Sequence, residues 1–207
     1  MIKAVLFDID GVLLDSFAAN LQFFQDLLTK AGYEPPSAED YKPLFHLTMK
    51  DAIQTMTKAS TQEVDRVWHM GKNREVQYRI DLLQMPTDAP ATIKELHKTY
   101  KLGIVTSRVT TTVYEAQAML ELQKLFEVTV TYENTELHKP HPEPILHALK
   151  LLGIKPHEAV YIGDVHNDVA AARAAGTKVI TYGKHIIQGS DAHAHTFSEI
   201  STIIAKL

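Results

Sequence analysis

Two aspartates separated by one residue stand near the start of the chain, in Phe7-Asp8-Ile9-Asp10-Gly11-Val12. In an extended backbone, residues two apart project to the same side, so both carboxylates would face one point. Two acids at one point repel, which is costly unless a cation sits there or one acid carries a proton. Either arrangement is chemically useful. Asp-Gly is also a common turn pair, and Asp8 alone could cap whatever follows. A calcium loop fails on spacing: with Gly11 as its sixth residue, the first and twelfth positions fall on Leu6 and Phe17, neither an acid.

Three further signals have the same character. Leu102-Gly103-Ile104-Val105 runs into Thr106, Ser107 and Arg108, two hydroxyls and then a cation. A hydroxyl at a strand's end, followed by backbone N–H groups, can hold a phosphate oxygen, although Thr and Ser also cap helices. Lys139 heads the rigid run Lys139-Pro140-His141-Pro142-Glu143-Pro144, where it could act as a point cation against phosphate and carboxylates, or be a solvated loop lysine. Gly163-Asp164-Val165-His166-Asn167-Asp168 places two acids four apart across a turn entering a helix, so both can face one point. Such hard oxygen ligands suit Mg²⁺, whereas Asp168 by itself reads as an ordinary first-turn helix acid.

The elements that must position these groups follow from hydrophobic periodicity. Short apolar, β-branched stretches at 3–7, 102–106, 159–162 and 178–181 read as buried strands, with 127–131 a weaker candidate in which valines alternate with polar residues. Helical patterns at 88–100, 111–122, 143–152 and 167–175 lie between them, the last two followed by Gly153 and Gly176. Alternating strand and helix predicts an α/β fold, a doubly wound parallel sheet covered on both faces. Residues 16–85 interrupt the alternation with helical signals only: Phe17, Leu21, Phe24 and Leu28 share one face, and Val64, Val67, Trp68 and Gly71 another. The expected organisation is a core of 1–15 and 86–207 with an inserted helical subdomain at 16–85.

A length of 207 residues fits one domain, or one domain carrying a smaller insertion, and 45% hydrophobic with 22% charged residues is the composition of an ordinary globular protein. Its lack of cysteine excludes a disulfide scaffold, a thiolate zinc site and a cysteine nucleophile. A net charge of -4 with no basic run argues against nucleic acid, and no apolar run reaches the length of a membrane span, so a cytoplasmic protein is expected. Eleven histidines raise a metal reading, chiefly at His193-Ala194-His195 near Asp191 and His185, but none has the HExxH spacing of a zinc hydrolase. An exposed polar segment is expected there.

Taken together, Asp8-Ile9-Asp10-Gly11-Val12, Thr106, Lys139 and Gly163-Asp164 with Asp168 resemble, in order and spacing, the motif set of the haloacid dehalogenase superfamily of phosphotransferases. The resemblance spans residues 1 to about 183, and the helical insertion looks like the cap of the phosphoglycolate phosphatase and β-phosphoglucomutase subgroup. It implies a Rossmann-like core and a Mg²⁺-dependent phosphatase acting on a small phosphorylated metabolite. By the same resemblance Asp8 is the nucleophile, and Asp10 the acid/base. Thr106, the backbone near Ser107, and Lys139 bind the transferring phosphoryl group. Asp8, the carbonyl of Asp10, Asp164 and Asp168 surround the metal. The dehalogenating branch lacks an aspartate at the position of Asp10, so phosphoryl transfer is favoured over carbon–halogen cleavage. A sugar-phosphate mutase and a non-catalytic binding protein are the alternatives. His141, where similar proteins have a small residue, and His166 could approach substrate or be solvated loop residues. Substrate selectivity is expected in the insertion, at Phe45, His46, Lys50, Arg74 or Arg79.

Overall fold

A computed structural model describes all 207 residues. Its six strands form one parallel sheet in the order β3-β2-β1-β4-β5-β6: β1 Ala4–Phe7, β2 Lys101–Val105, β3 Val128–Val130, β4 Ala159–Gly163, β5 Lys178–Tyr182 and β6 Ala192–Ala194. Every residue of β1 and β4 is buried, as two-sided coverage by helices demands of central parallel strands. Phe7 anchors one face, with its ring centroid 5.9 Å from that of Phe197 and 6.2 Å from that of Phe126.

The chain divides into two compact units, Met1–Asp15 with Gln84–Leu207, and Ser16–Leu83. The boundary expected after residue 85 falls at 83, because Gln84 pairs antiparallel with Asp15, their backbones bonded at 2.7 and 3.1 Å. The Ser16–Leu83 unit contains α1 Phe17–Ala31, α2 Ala38–Tyr41, α3 Met49–Thr57 and α4 Thr61–Lys72. Phe24 and Leu28 of α1 are buried, as are Val64, Val67, Trp68 and Gly71 of α4. The α4 face is the one read from the sequence, whereas on α1 Phe17 and Leu21 are only half-buried and Ala19 and Leu27 complete the buried face.

The sheet unit adds α5 Ala89–His97, α6 Gln117–Leu122, α7 Glu143–Leu152, α8 His166–Ala175 and α9 Glu199–Ile204. Two expectations need correction. The helix expected over 111–122 begins only at Gln117, after a short 3₁₀ turn at Thr110–Thr112. Three successive threonines and a valine are poor helix formers, and their hydroxyls compete for the backbone. The segment around His193, expected as an exposed polar stretch, is the short edge strand β6, with Ala194 fully buried. Ala-His-Ala carries no strand signal of its own; its pairing with Ile180–Tyr182 makes it one.

Candidate active site

Phe7 is paired with Ile104 of β2 on one side and Ile162 of β4 on the other. Asp8, Thr106 and Asp164 therefore leave three neighbouring strands at nearly one level. The strand order reverses between β1 and β4, and parallel sheets open a ligand crevice at such a reversal, outside the carboxyl ends of the strands. Asp8 and Asp164 leave the two strands that flank it. The turn after β1 closes directly on the turn after β4: at Gly11, whose φ is +79°, a Cβ would lie 1.9 Å from Asp164 Oδ2. Only glycine fits there, on grounds of both conformation and space.

Lys139 joins the acids. Its ammonium lies 2.9 Å from Asp8 Oδ2 and 2.8 Å from Asp168 Oδ1, and donates to the Tyr161 hydroxyl at 3.1 Å. That hydroxyl also lies 3.1 Å from the Val105 carbonyl and 3.3 Å from Asp168 Oδ1. The other oxygen of Asp168 accepts the backbone N–H of Asp164 at 3.1 Å and of Val165 at 3.3 Å. Asp168 is wholly buried, so it ties the lysine and the Asp164 turn into one unit. Asp8 Oδ1 accepts the N–H of Ile9 at 2.8 Å, which fixes the carboxylate's rotation.

Each of Asp8, Asp164 and Asp168 can place an oxygen within 4.8 Å of the others. Three carboxylates against one ammonium leave two negative charges, a fit for one divalent cation with hard oxygen ligands. Burial pushes Asp8 up to about 7, against the lowering effect of Lys139, with Asp168 and Asp10 adding to the rise. Burial, then the charges of Asp168 and Asp8, push Asp164 up to about 9. Burial would pull Lys139 down, but Asp168 and Asp8 outweigh it and hold the ammonium well above its ordinary range. Tyr161 is likewise raised, first by burial and then by Asp168, so it stays protonated. The donor set thus favours a cation among the acids.

Thr106 is buried at the end of β2, its hydroxyl accepting the N–H of Arg108 at 3.2 Å, while Ser107 beside it is half-buried. Asp10 is brought into the same unit by Arg108, which had no assigned role in the sequence. The guanidinium grips Asp10 as a fork, Nη2 at 2.7 Å from Oδ1 and Nε at 2.9 Å from Oδ2, and Nη1 donates to the Thr112 carbonyl at 3.2 Å. Tyr161 is likewise unmarked in the sequence. It reads as one more apolar residue of a buried strand, and only the register shows where its hydroxyl ends.

His141 and His166 are exposed, and the Nδ1 of His141 accepts the N–H of Glu143 at 3.2 Å. His193 is engaged with the Thr181 hydroxyl at 2.9 Å and with the Gly183 carbonyl at 3.1 Å, while His185 is exposed. Asp191 accepts the Val179 N–H at 2.9 Å and pairs with Lys178 and Arg173, a purely structural set. Within the Ser16–Leu83 unit, Lys50 is paired with Asp65 and lies over Trp68, and Arg79 is paired with Asp81. His46 and Arg74 are exposed, and Phe45 is half-buried against Phe17, 5.6 Å between ring centroids.

The sequence profile of haloacid dehalogenase-like hydrolases matches residues 5–182. The chain belongs to this family. It is 33% identical over 178 residues to pyrophosphatase PpaX of Bacillus cereus, a match covering 86% of this chain and 81% of that protein. A haloacid dehalogenase-superfamily hydrolase of subfamily IA from Geobacter sulfurreducens superposes with a TM-score of 0.77 at 28% identity, covering 98% of this chain and all of that one. β-Phosphoglucomutase from Clostridium difficile superposes with a TM-score of 0.82, covering 100% and 97% of the two chains, but at 16% identity it speaks to the fold alone. The chain is therefore an enzyme of the haloacid dehalogenase-like hydrolase class, with that family's α/β fold. No helix is long and apolar enough to cross a membrane.

Proposed function

We propose that the protein is a Mg²⁺-dependent phosphatase that hydrolyses a small phosphorylated metabolite through an aspartyl-phosphate on Asp8. The observation that carries this reading is the Asp8 carboxylate at the sheet's switch point. Lys139 lies on one of its oxygens, and the surrounding acids leave charge for one divalent cation.

An oxygen of Asp8 attacks phosphorus, and the bond from phosphorus to the leaving oxygen breaks, its electron pair staying with that oxygen. Asp10 donates a proton to the leaving oxygen. Water then attacks the phosphoryl group on Asp8, Asp10 takes a proton from it, and the phosphorus–Asp8 bond breaks to release inorganic phosphate. Lys139, the Thr106 hydroxyl and the N–H groups near Ser107 stabilise the non-bridging oxygens, whose charge dominates this transition state. Mg²⁺, when held by Asp8, Asp164 and the carbonyl of Asp10, would screen the anionic nucleophile from the anionic phosphate. Asp168 has both oxygens engaged on Lys139, Tyr161 and the Asp164 turn, so its share in the metal site is to orient its neighbours. The Ser16–Leu83 unit acts as the cap that selects the leaving group.

Phosphate release from phenyl phosphate, with Mg²⁺ and with EDTA, tests the reading. Activity that needs Mg²⁺ and disappears in Asp8→Asn is expected. Full activity in EDTA, or in the variant, would overturn it.

A further inference from the structure

The sheet unit holds two buried cations beside its acids, and they divide the site. Lys139 lies on Asp8 and Asp168, where phosphorus is attacked. Arg108 lies on Asp10, whose carboxylate serves the leaving oxygen. With Asp10 as the acid/base of the proposed reaction, the cation paired with it belongs to the leaving-group side.

The Arg108–Asp10 pair is well enclosed, with side chains 7% and 22% exposed. Opening such a pair leaves two poorly solvated charges, unless another anion takes the guanidinium's fork. That fork matches a carboxylate or a phosphate equally well, because both offer two oxygens at the right separation. Asp10 must also be released from it before its oxygens can turn to the substrate.

We infer that Arg108 is a specificity-determining residue that reads an anionic group carried by the leaving group near its scissile oxygen, exchanging Asp10 for that anion. This rests on the phosphatase reading and deepens it. The preferred substrates then have a second anion, carboxylate or phosphate, a few bonds from the phosphoryl group being cleaved. A neutral leaving group offers nothing to replace Asp10 on the arginine and is turned over poorly.

The test compares 2-phosphoglycolate with 2-hydroxyethyl phosphate, two alkyl phosphates that differ mainly in one carboxylate, and adds pyrophosphate as the phosphate-bearing case. For each, kcat/KM is measured with Mg²⁺ in the wild type, Arg108→Met and Arg108→Lys. The wild type should favour at least one anionic substrate over 2-hydroxyethyl phosphate. That ratio should fall by at least about tenfold in both variants, since lysine keeps the charge but not the fork. Partial unfolding lowers all rates alike and cancels in the ratio; a general weakening of Asp10 cancels between the two alkyl phosphates, whose leaving oxygens are similarly basic, and would slow pyrophosphate less than 2-hydroxyethyl phosphate, opposite to the fall expected here. Which anionic substrate loses its advantage identifies the group Arg108 reads. A wild type without preference, or a ratio that survives both substitutions, overturns the role of Arg108. A wild type that hydrolyses none of the three, nor phenyl phosphate, overturns the phosphatase reading itself.

Discussion

Paired charges occur in both units of the chain, in opposite settings. In the Ser16–Leu83 unit, Arg79 and Asp81 meet at 2.5 Å with side chains 43% and 58% exposed, and Arg66 and Glu63 at 2.6 Å with 47% and 32%. At the carboxyl edge of the sheet, Lys139 meets Asp8 and Asp168 with side chains 7%, 10% and 0% exposed. Distances alone would rank these pairs together. Water separates them: exposed ions trade one good environment for another, whereas each member of the buried set depends on the rest. Removing a charge should therefore be nearly silent in the first region, and costly to stability, activity or both in the second.

The largest effect is expected at the nucleophile. Asp8→Asn should lower kcat by more than about a thousandfold, because an amide cannot attack phosphorus, while the folded state persists by circular dichroism. Residual turnover near that of the wild type, once deamidation is excluded by mass spectrometry, would remove Asp8 from its role.

Lys139→Met should come next. It leaves Asp168 buried without its cation, a loss of about 3–5 kcal/mol in urea denaturation of the metal-free protein, with activity lost as well. A loss as small as that of a surface pair would erase the contrast between the two regions.

Acidity offers a third test. Asp8 and Asp164 are pushed up to about 7 and about 9, so the metal-free folded state holds protons that the unfolded chain has given up above about pH 4. The sign follows: these two groups make the metal-free protein less stable as pH rises from about 4 through 9. A cation bound to the ionised carboxylates offsets this. Millimolar Mg²⁺ should raise Tm more at pH 8 than at pH 5, and binding near pH 7 should release protons detectable by calorimetry in two buffers. An equal Tm shift at both pH values would count against Asp8 and Asp164 as the ligands.

Tyr161→Phe should show a smaller loss, about 1–2 kcal/mol, since it removes a buried hydroxyl that accepts from Lys139 and donates to one of two acceptors. At the other end of the scale, Arg79→Ala should leave the urea midpoint unchanged within error, because its partner Asp81 is fully able to return to water. A resolvable shift there would show that the Ser16–Leu83 unit uses its charges structurally and that exposure does not separate the two regions.

How much was legible in the sequence differs between the same two regions. Asp8, Thr106, Lys139 and Asp164 could be marked as chemistry-bearing because each follows or heads an element whose hydrophobic period is visible along the chain. The helical faces of α1 and α4 could be read for the same reason. In the Ser16–Leu83 unit the pattern stopped there. By residue type Lys50, Arg74 and Arg79 are equal candidates for substrate contact, and nothing in their sequence neighbours reveals that Lys50 is paired with Asp65 and Arg79 with Asp81.

The sequence by itself determined the α/β alternation, the helical stretch that interrupts it, the acids and hydroxyl at strand ends and the lysine ahead of a helix, since these depend on residue type and local spacing. Tertiary structure alone decided that Ala192–Ala194 is a strand, that Asp168 spends both oxygens on its neighbours and that Tyr161 braces Lys139. It also decided that Arg108 grips Asp10, a residue 98 positions away. Each of these depends on strand order and register, which place distant segments within one hydrogen bond of each other. A strand's own pattern records which face is buried, but not which neighbour lies against it.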